Sequence, residues 1–313
     1  MQIVILDQDS IQRPDECFDY SKMQQLGELI IYQNSTPAQI VQRCQQATVI
    51  IVNKPKLTSE IIQQLSHTQL ILKAGVGVDN IDLDTARQRG IRVCNYPAYN
   101  TELLAQWTFS FILACANSLQ QYNKAFKQGL WQQSLYQFPI QELAGKCLGI
   151  IGFGNGGKRV AALAHAFNME VLIHSNYPDS TLPYRFVDLN TLAKECDFIS
   201  LQRQLSTAFI DMINTEFLSQ MKPTAYLINT ARAALINEQA ITQALQENKI
   251  AGFASDVFWQ EPTPADHPLF HLDNTLFTPH MAWGAFETRQ RLLDKMADTI
   301  THYVHNQPFN ALT

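Results

Sequence analysis

Three short segments of this sequence carry side chains that could act together on a small anion. INTARAALIN presents Arg232, SDVFWQEP presents Glu261 and TPHMAW presents His280. A histidine exchanges protons near neutral pH, and a carboxylate beside it would hold its tautomer. An arginine fork suits a carboxylate bidentately. Each residue also has an ordinary alternative: an exposed arginine, a loop Glu-Pro, a capping histidine. Their joint placement sets them apart. All three follow strand candidates, and an open α/β sheet takes its ligand beyond the carboxyl ends of its strands.

Upstream, Gly152-Phe153-Gly154-Asn155-Gly156-Gly157 is a G-x-G-x-x-G that follows an apolar strand, CLGIIGF, and opens a helix. The first glycine permits a tight turn, and the second lets the backbone approach a pyrophosphate. The third lets helix and strand pack closely, with free N–H groups at the helix start for the phosphates. About 20 residues further on, an acidic side chain would normally hold the adenosine ribose. Here the strand EVLIH ends at Ser175-Asn176, with no carboxylate. That absence removes one barrier to a 2′-phosphate, yet no arginine stands in the same loop. Arg203, at the end of the next strand, could reach the adenosine end or could be an exposed loop charge. The expected cofactor is therefore NAD or NADP, with NADP tolerated.

These positions require a scaffold of parallel strands, and the pattern supplies one. QIVIL, ATVIIV, QLILKAG and IRVCN read as buried strands separated by amphipathic stretches such as TPAQIVQRCQQ and TSEIIQQL. A long apolar helix is predicted over 101–118. Six further strands follow, at 147–153, 170–175, 198–202, 225–230, 252–258 and 275–280, with helices over 157–168, 190–195, 211–219 and 237–248. A final helical stretch covers 284–306. Alternation of this kind argues for sheets with helices on both faces.

Composition narrows the class. At 313 residues the chain is long enough for about two domains. With 23 basic against 28 acidic side chains and a pI near 5.9, it lacks the electrostatic footprint of a nucleic-acid binder. No run approaches the ~18 apolar residues of a membrane helix. The six cysteines lie far apart with no metal-ligand spacing, so no metal is expected. The opening MQIVILD already reads as a strand without a leader pattern, so a cytoplasmic location is expected.

Taken together, these segments resemble the NAD(P)-dependent D-2-hydroxyacid dehydrogenase family over nearly the whole chain. KAGVGVDNID resembles its substrate loop. NYPAYNTELLAQWTF and TPHMAWGAFETRQRL resemble the glycerate dehydrogenase (hydroxypyruvate reductase) branch. The resemblance implies reduction of a small 2-keto acid, such as glyoxylate or hydroxypyruvate, to the D-2-hydroxy acid. His280 would be the acid, Glu261 its partner, and Arg232 the group that binds the carboxylate and polarises the carbonyl. The N–H groups of Val76 and Gly77 would hold that carboxylate too, while Trp283, with Tyr99 and Asn53, would shape the pocket. Asn155, Gly156, Thr230 and Asp256 match cofactor-contact positions.

The resemblance also implies a homodimer. An alternative within the family is an NAD(H)-sensing transcriptional co-regulator that uses the fold as a binding module. Three departures stand out: Gln106-Trp107 for Gln/Glu-His, SLQRQL for S-L-H-x-P-L, and Gly156 for an apolar residue. The expected fold class is two doubly wound, Rossmann-like parallel-sheet domains with a cleft between them. Residues 1–99 and 283–313 would form the substrate-binding domain, and 100–282 the dinucleotide-binding domain.

Overall fold

The computed structural model describes residues 1–313, which divide into two compact units: Met1–Asn100 with Gly284–Thr313, and Thr101–Trp283. Both are α/β units built on a wholly parallel sheet, as expected.

The first unit contains β1 (Gln2–Ile5), α1 (Ser21–Leu26), β2 (Glu28–Ile31), α2 (Pro37–Arg43), β3 (Val49–Val52), α3 (Ser59–Gln63), β4 (Leu70–Lys73), α4 (Leu83–Gln88) and β5 (Arg92–Cys94). Its strand order is β2-β1-β3-β4-β5. Local chemistry sets the helix starts. Thr36 and Gln39 form a reciprocal capping box ahead of Pro37, and Asp82 accepts a bond from the Thr85 N–H. Ile50, Val52 and Ile71 pack with Ile40 of α2 and Ile62 of α3 in a buried core.

The second unit begins with α5 (Thr101–Ala116) and α6 (Leu119–Lys127). It continues through β6 (Cys147–Ile151), α7 (Asn155–Ala166), β7 (Glu170–His174), β8 (Arg185–Phe186), α8 (Leu189–Glu195) and β9 (Phe198–Leu201). It closes with α9 (Thr215–Gln220), β10 (Tyr226–Asn229), α10 (Glu238–Gln246), β11 (Gly252–Ser255) and β12 (Thr275–Phe277). The order is β12-β11-β10-β9-β6-β7-β8, so the chain reverses direction across the sheet between β6 and β9. Alternate residues feed opposite cores. Leu148 and Ile150 join Phe109, Ile112 and Val160 on one face. Ile151, Ile199 and Leu201 join Leu192, Phe217 and Ile241 on the other. A sheet buried on both faces explains why its strands read as nearly continuous apolar runs.

The last helix, α11 (Phe286–Val304), belongs to the first unit, where it packs with α1 and buries Leu292, Met296 and Ile300. Its Arg289 is also buried and meets Glu16 through two bonds of 2.5 and 2.6 Å.

Two strands escaped the sequence reading. β2 has only four residues, none fully buried, and β8 has only two. Both are sheet edges: β8 is too short to leave an apolar signature, while β2 carries Leu29, Ile30 and Ile31 in a run only partly buried. The glycine-rich helix begins at Asn155 rather than 157, so Gly156 and Gly157 lie in its first turn. Of the helix predicted over 211–219, only the part from Thr215 is helical: Ile213 makes an isolated parallel bridge with Ile236, and α9 starts after Asn214, which caps it.

Candidate active site

The proposed acid is held from several directions. His280 follows β12 and adopts a left-handed backbone, φ 57°. Its Nδ1 lies 2.8 Å from Glu261 Oε2. Glu261 Oε1 accepts from the Phe258 N–H at 3.1 Å, which fixes the carboxylate against the segment after β11. Trp283 Nε1 donates to the His280 carbonyl at 2.8 Å, so the indole braces the histidine's own backbone. Both side chains of the pair remain about one-third exposed, so the ring can reach a ligand.

Beneath this pair lies a buried carboxylate. Asp256, 1% exposed, accepts from Thr278 Oγ1 at 2.5 Å and from the N–H groups of Met281 and Ala282 at 2.8 Å each. Burial pushes its pKa up, opposed by these hydrogen bonds and by the neighbouring histidine. Trp107 Nε1 donates to the same Thr278 hydroxyl at 3.1 Å. The Trp107 departure thus has a structural job: it ties α5 to the loop that carries His280.

Arg232 sits three residues past β10, beside β11 in the sheet. Its Nη1 donates to the Ala231 carbonyl at 2.8 Å, and no carboxylate forms an ion pair with it. Asn229 holds this turn at both sides. Its Oδ1 accepts from the Ala231 N–H, and its Nδ2 donates to the Arg232 carbonyl, each at 3.0 Å. Arg232, Glu261 and His280 therefore follow the carboxyl ends of three adjacent strands, β10, β11 and β12.

The glycine turn lies at the reversal point of the same sheet, where such folds bind dinucleotides. Gly152 has φ 101°, and a Cβ there would fall 2.7 Å from the Gln202 carbonyl carbon. At Gly157 a Cβ would lie 2.2 Å from the Gly152 oxygen, so any side chain would force helix and strand apart. Around Gly154 there is open space, and this helix start has no side-chain cap. An uncapped helix start beside an open, glycine-lined turn fits a pyrophosphate. These residues therefore fit a bound NAD(P).

Gln202 explains two departures at once. Its Nε2 lies 3.0–3.1 Å from the hydroxyls of Thr108, Ser200 and Thr230. Its Oε1 would be 2.9 Å from a Cβ on residue 156. Gln202 and Leu104 occupy the room that a larger residue at 156 would need, so glycine stands there. Sequence reasoning saw both departures but not their link, since nothing in the spacing pairs position 156 with 202.

The other expected residues are placed as follows. Val76 and Gly77 follow β4 in the first unit, and their N–H groups donate to no other group of the chain, while the Val76 carbonyl accepts from Asn95 at 2.6 Å. Tyr99 and Asn53 are buried in that unit; the Asn53 N–H donates to Asp7 at 3.0 Å. Ser175 Oγ accepts from the Tyr177 N–H at 3.1 Å, and no carboxylate stands at Ser175–Asn176. No group of three histidine, cysteine or acidic side chains is placed to hold a metal ion.

Comparison with known proteins agrees with this geometry. Residues 109–282 match the D-isomer specific 2-hydroxyacid dehydrogenase, NAD binding domain. Glycerate dehydrogenase of Methylorubrum extorquens is 33% identical over 318 residues, spanning 99% of this chain and 98% of the relative. Among solved structures, an acyclic imino acid reductase in complex with NADPH and D-Arg has a TM-score of 0.90 at 27% identity, with 100% of both chains covered. D-Lactate dehydrogenase from Aquifex aeolicus, complexed with NAD and lactic acid, has a TM-score of 0.83 at 29% identity, covering 98% of this chain and 96% of that one.

Fold and site thus define an NAD(P)-dependent oxidoreductase. More narrowly, the chain belongs to the D-2-hydroxyacid dehydrogenase family, close to its glycerate dehydrogenase and hydroxypyruvate reductase branch. It is an enzyme that reduces a 2-keto acid to a D-2-hydroxy acid with NAD(P)H.

Proposed function

We propose that this enzyme reduces a small 2-keto acid, glyoxylate, hydroxypyruvate or a close relative, with His280 as the general acid. The observation that carries this reading is the 2.8 Å pairing of His280 Nδ1 with Glu261. With Nδ1–H given to the carboxylate, Nε2 is the nitrogen left to deliver a proton to the keto oxygen. The nicotinamide cofactor, when bound, supplies the hydride to the carbonyl carbon. Arg232 binds the substrate carboxylate and polarises the carbonyl, lowering the cost of charge developing on oxygen. Val76 and Gly77 serve as further carboxylate donors, supported by N–H groups that the chain itself leaves unused. Trp283 walls the substrate's far end.

The unit Met1–Asn100 with Gly284–Thr313 is proposed as the substrate-binding domain, and Thr101–Trp283 as the dinucleotide-binding domain. Asn155, Gly156, Thr230 and Asp256 are proposed as cofactor contacts, as are Ser175 and Asn176 at the adenosine end. A homodimer is proposed as the working form.

The test is a panel of glyoxylate, hydroxypyruvate, pyruvate and bulkier 2-keto acids, followed at 340 nm with NADH and NADPH. Turnover should be fastest with the two- and three-carbon acids. Preference for a large, branched acid would overturn the substrate reading.

A further inference from the structure

Around the adenosine end of the glycine turn, one charge is uncompensated. Arg203 is the second residue after β9, and a Cβ on Gly152 would fall 2.8 Å from its Cα. The Gly152 N–H donates to the carbonyl of His174, the last residue of β7, at 2.9 Å. The first glycine of the turn therefore touches both the strand end that carries Ser175–Asn176 and the backbone of Arg203.

The guanidinium is laid on an aromatic ring: its carbon lies 3.4 Å from the centroid of Phe209. Its Nε is buried and has no hydrogen-bond partner. No carboxylate forms an ion pair with it, and burial alone holds its pKa below the usual arginine value. The nearest acidic residue in sequence past β7, Asp179, is engaged in its own turn by the N–H and hydroxyl of Thr181. A partly desolvated cation without a counter-charge is costly unless a ligand supplies one. Stacking on Phe209 also fixes the fork before any ligand arrives, so little side-chain entropy remains to be lost on binding.

We propose that Arg203 selects the cofactor by binding the 2′-phosphate of NADP(H), making NADPH the preferred reductant. The inference rests on the dinucleotide site described above and sharpens its cofactor choice. Where a carboxylate would normally claim the ribose hydroxyls, Ser175 and Asn176 leave the 2′ position neutral, and Arg203 provides the charge that a phosphate needs.

Binding of adenosine fragments tests this without turnover. Calorimetry with 2′,5′-ADP and with 5′-ADP should show the 2′-phosphorylated fragment bound at least ~10-fold more tightly by the unaltered enzyme, as expected for a charge-assisted bond. Arg203→Ala should bring the two affinities within about twofold by weakening 2′,5′-ADP alone. Arg203→Lys, which keeps the charge and guards against misfolding of the alanine variant, should retain part of the preference. Equal affinity for both fragments in the unaltered enzyme would overturn the proposal. So would an equal loss of both in the variants, which would mark Arg203 as a structural or general adenosine contact. Failure of every 2-keto acid to turn over, with the fragment preference intact, would overturn the substrate reading and leave this one standing.

Discussion

His280 owes its position to groups that bind its backbone as much as to Glu261. The Trp283 indole holds its carbonyl, and its φ of 57° is one that non-glycine residues seldom adopt. His280→Ala should lower kcat at least ~100-fold through loss of proton transfer, measured under saturating cofactor. Near-normal turnover would remove His280 as the acid. Glu261→Gln keeps a side chain of similar shape but removes the charge. It should lower kcat by roughly tenfold or more while leaving cofactor affinity, read by fluorescence titration, unchanged. At this scale the candidate acid, its partner and the arginine were legible, because their residue types announce their chemistry. The supporting residues were not. Trp107 meets Thr278, and Gln202 meets Thr108, only because the fold joins positions 171 and 94 residues apart. A neutral side chain at such a junction carries no sign of its role in the sequence.

Elements were legible where the sheet buries them on both faces. VIIV of β3 and CLGII of β6 stand out because every residue is buried. Edge strands such as β8, with Arg185 exposed, do not. The same limit hid the anchorage of α11. Arg289 reads as one more charge on an amphipathic helix, yet it is 4% exposed and bonds the Ile11 and Gly284 carbonyls as well as Glu16. The guanidinium holds the Glu16 carboxyl down at about 2, well below its ordinary 4.5. A depressed folded-state pKa means this contribution is fully present above about pH 4.5 and is lost as the pH falls towards 2. Glu16→Gln leaves a buried arginine uncompensated and should cost about 3 kcal/mol at neutral pH. Thermal melts of the two proteins should differ most at pH 6–7 and converge only as the pH approaches about 2. A gap that persists unchanged at low pH would assign the loss to packing instead.

For the whole molecule, a group of exposed apolar side chains lies on α6 and the segment after it. Phe126, Trp131, Leu135, Tyr136 and Ile140 are all more than half exposed. A monomer seldom leaves such a group uncovered. The proposed homodimer would cover it, and Phe126→Glu with Trp131→Glu should convert the enzyme to monomers in light scattering. Retention of the dimer by that variant would place the interface elsewhere.

A separate consequence concerns time rather than shape. The amides of Met281 and Ala282 belong to a connecting segment, and such segments ordinarily open often and exchange their hydrogens quickly. These two instead donate to a carboxylate sealed inside the protein, which Thr278 links to Trp107 on α5. Their exchange should be as slow as that of amides in the central strands, and Asp256→Asn should make it fast. The residue proposed to move the proton would then sit on one of the stillest loops of its domain.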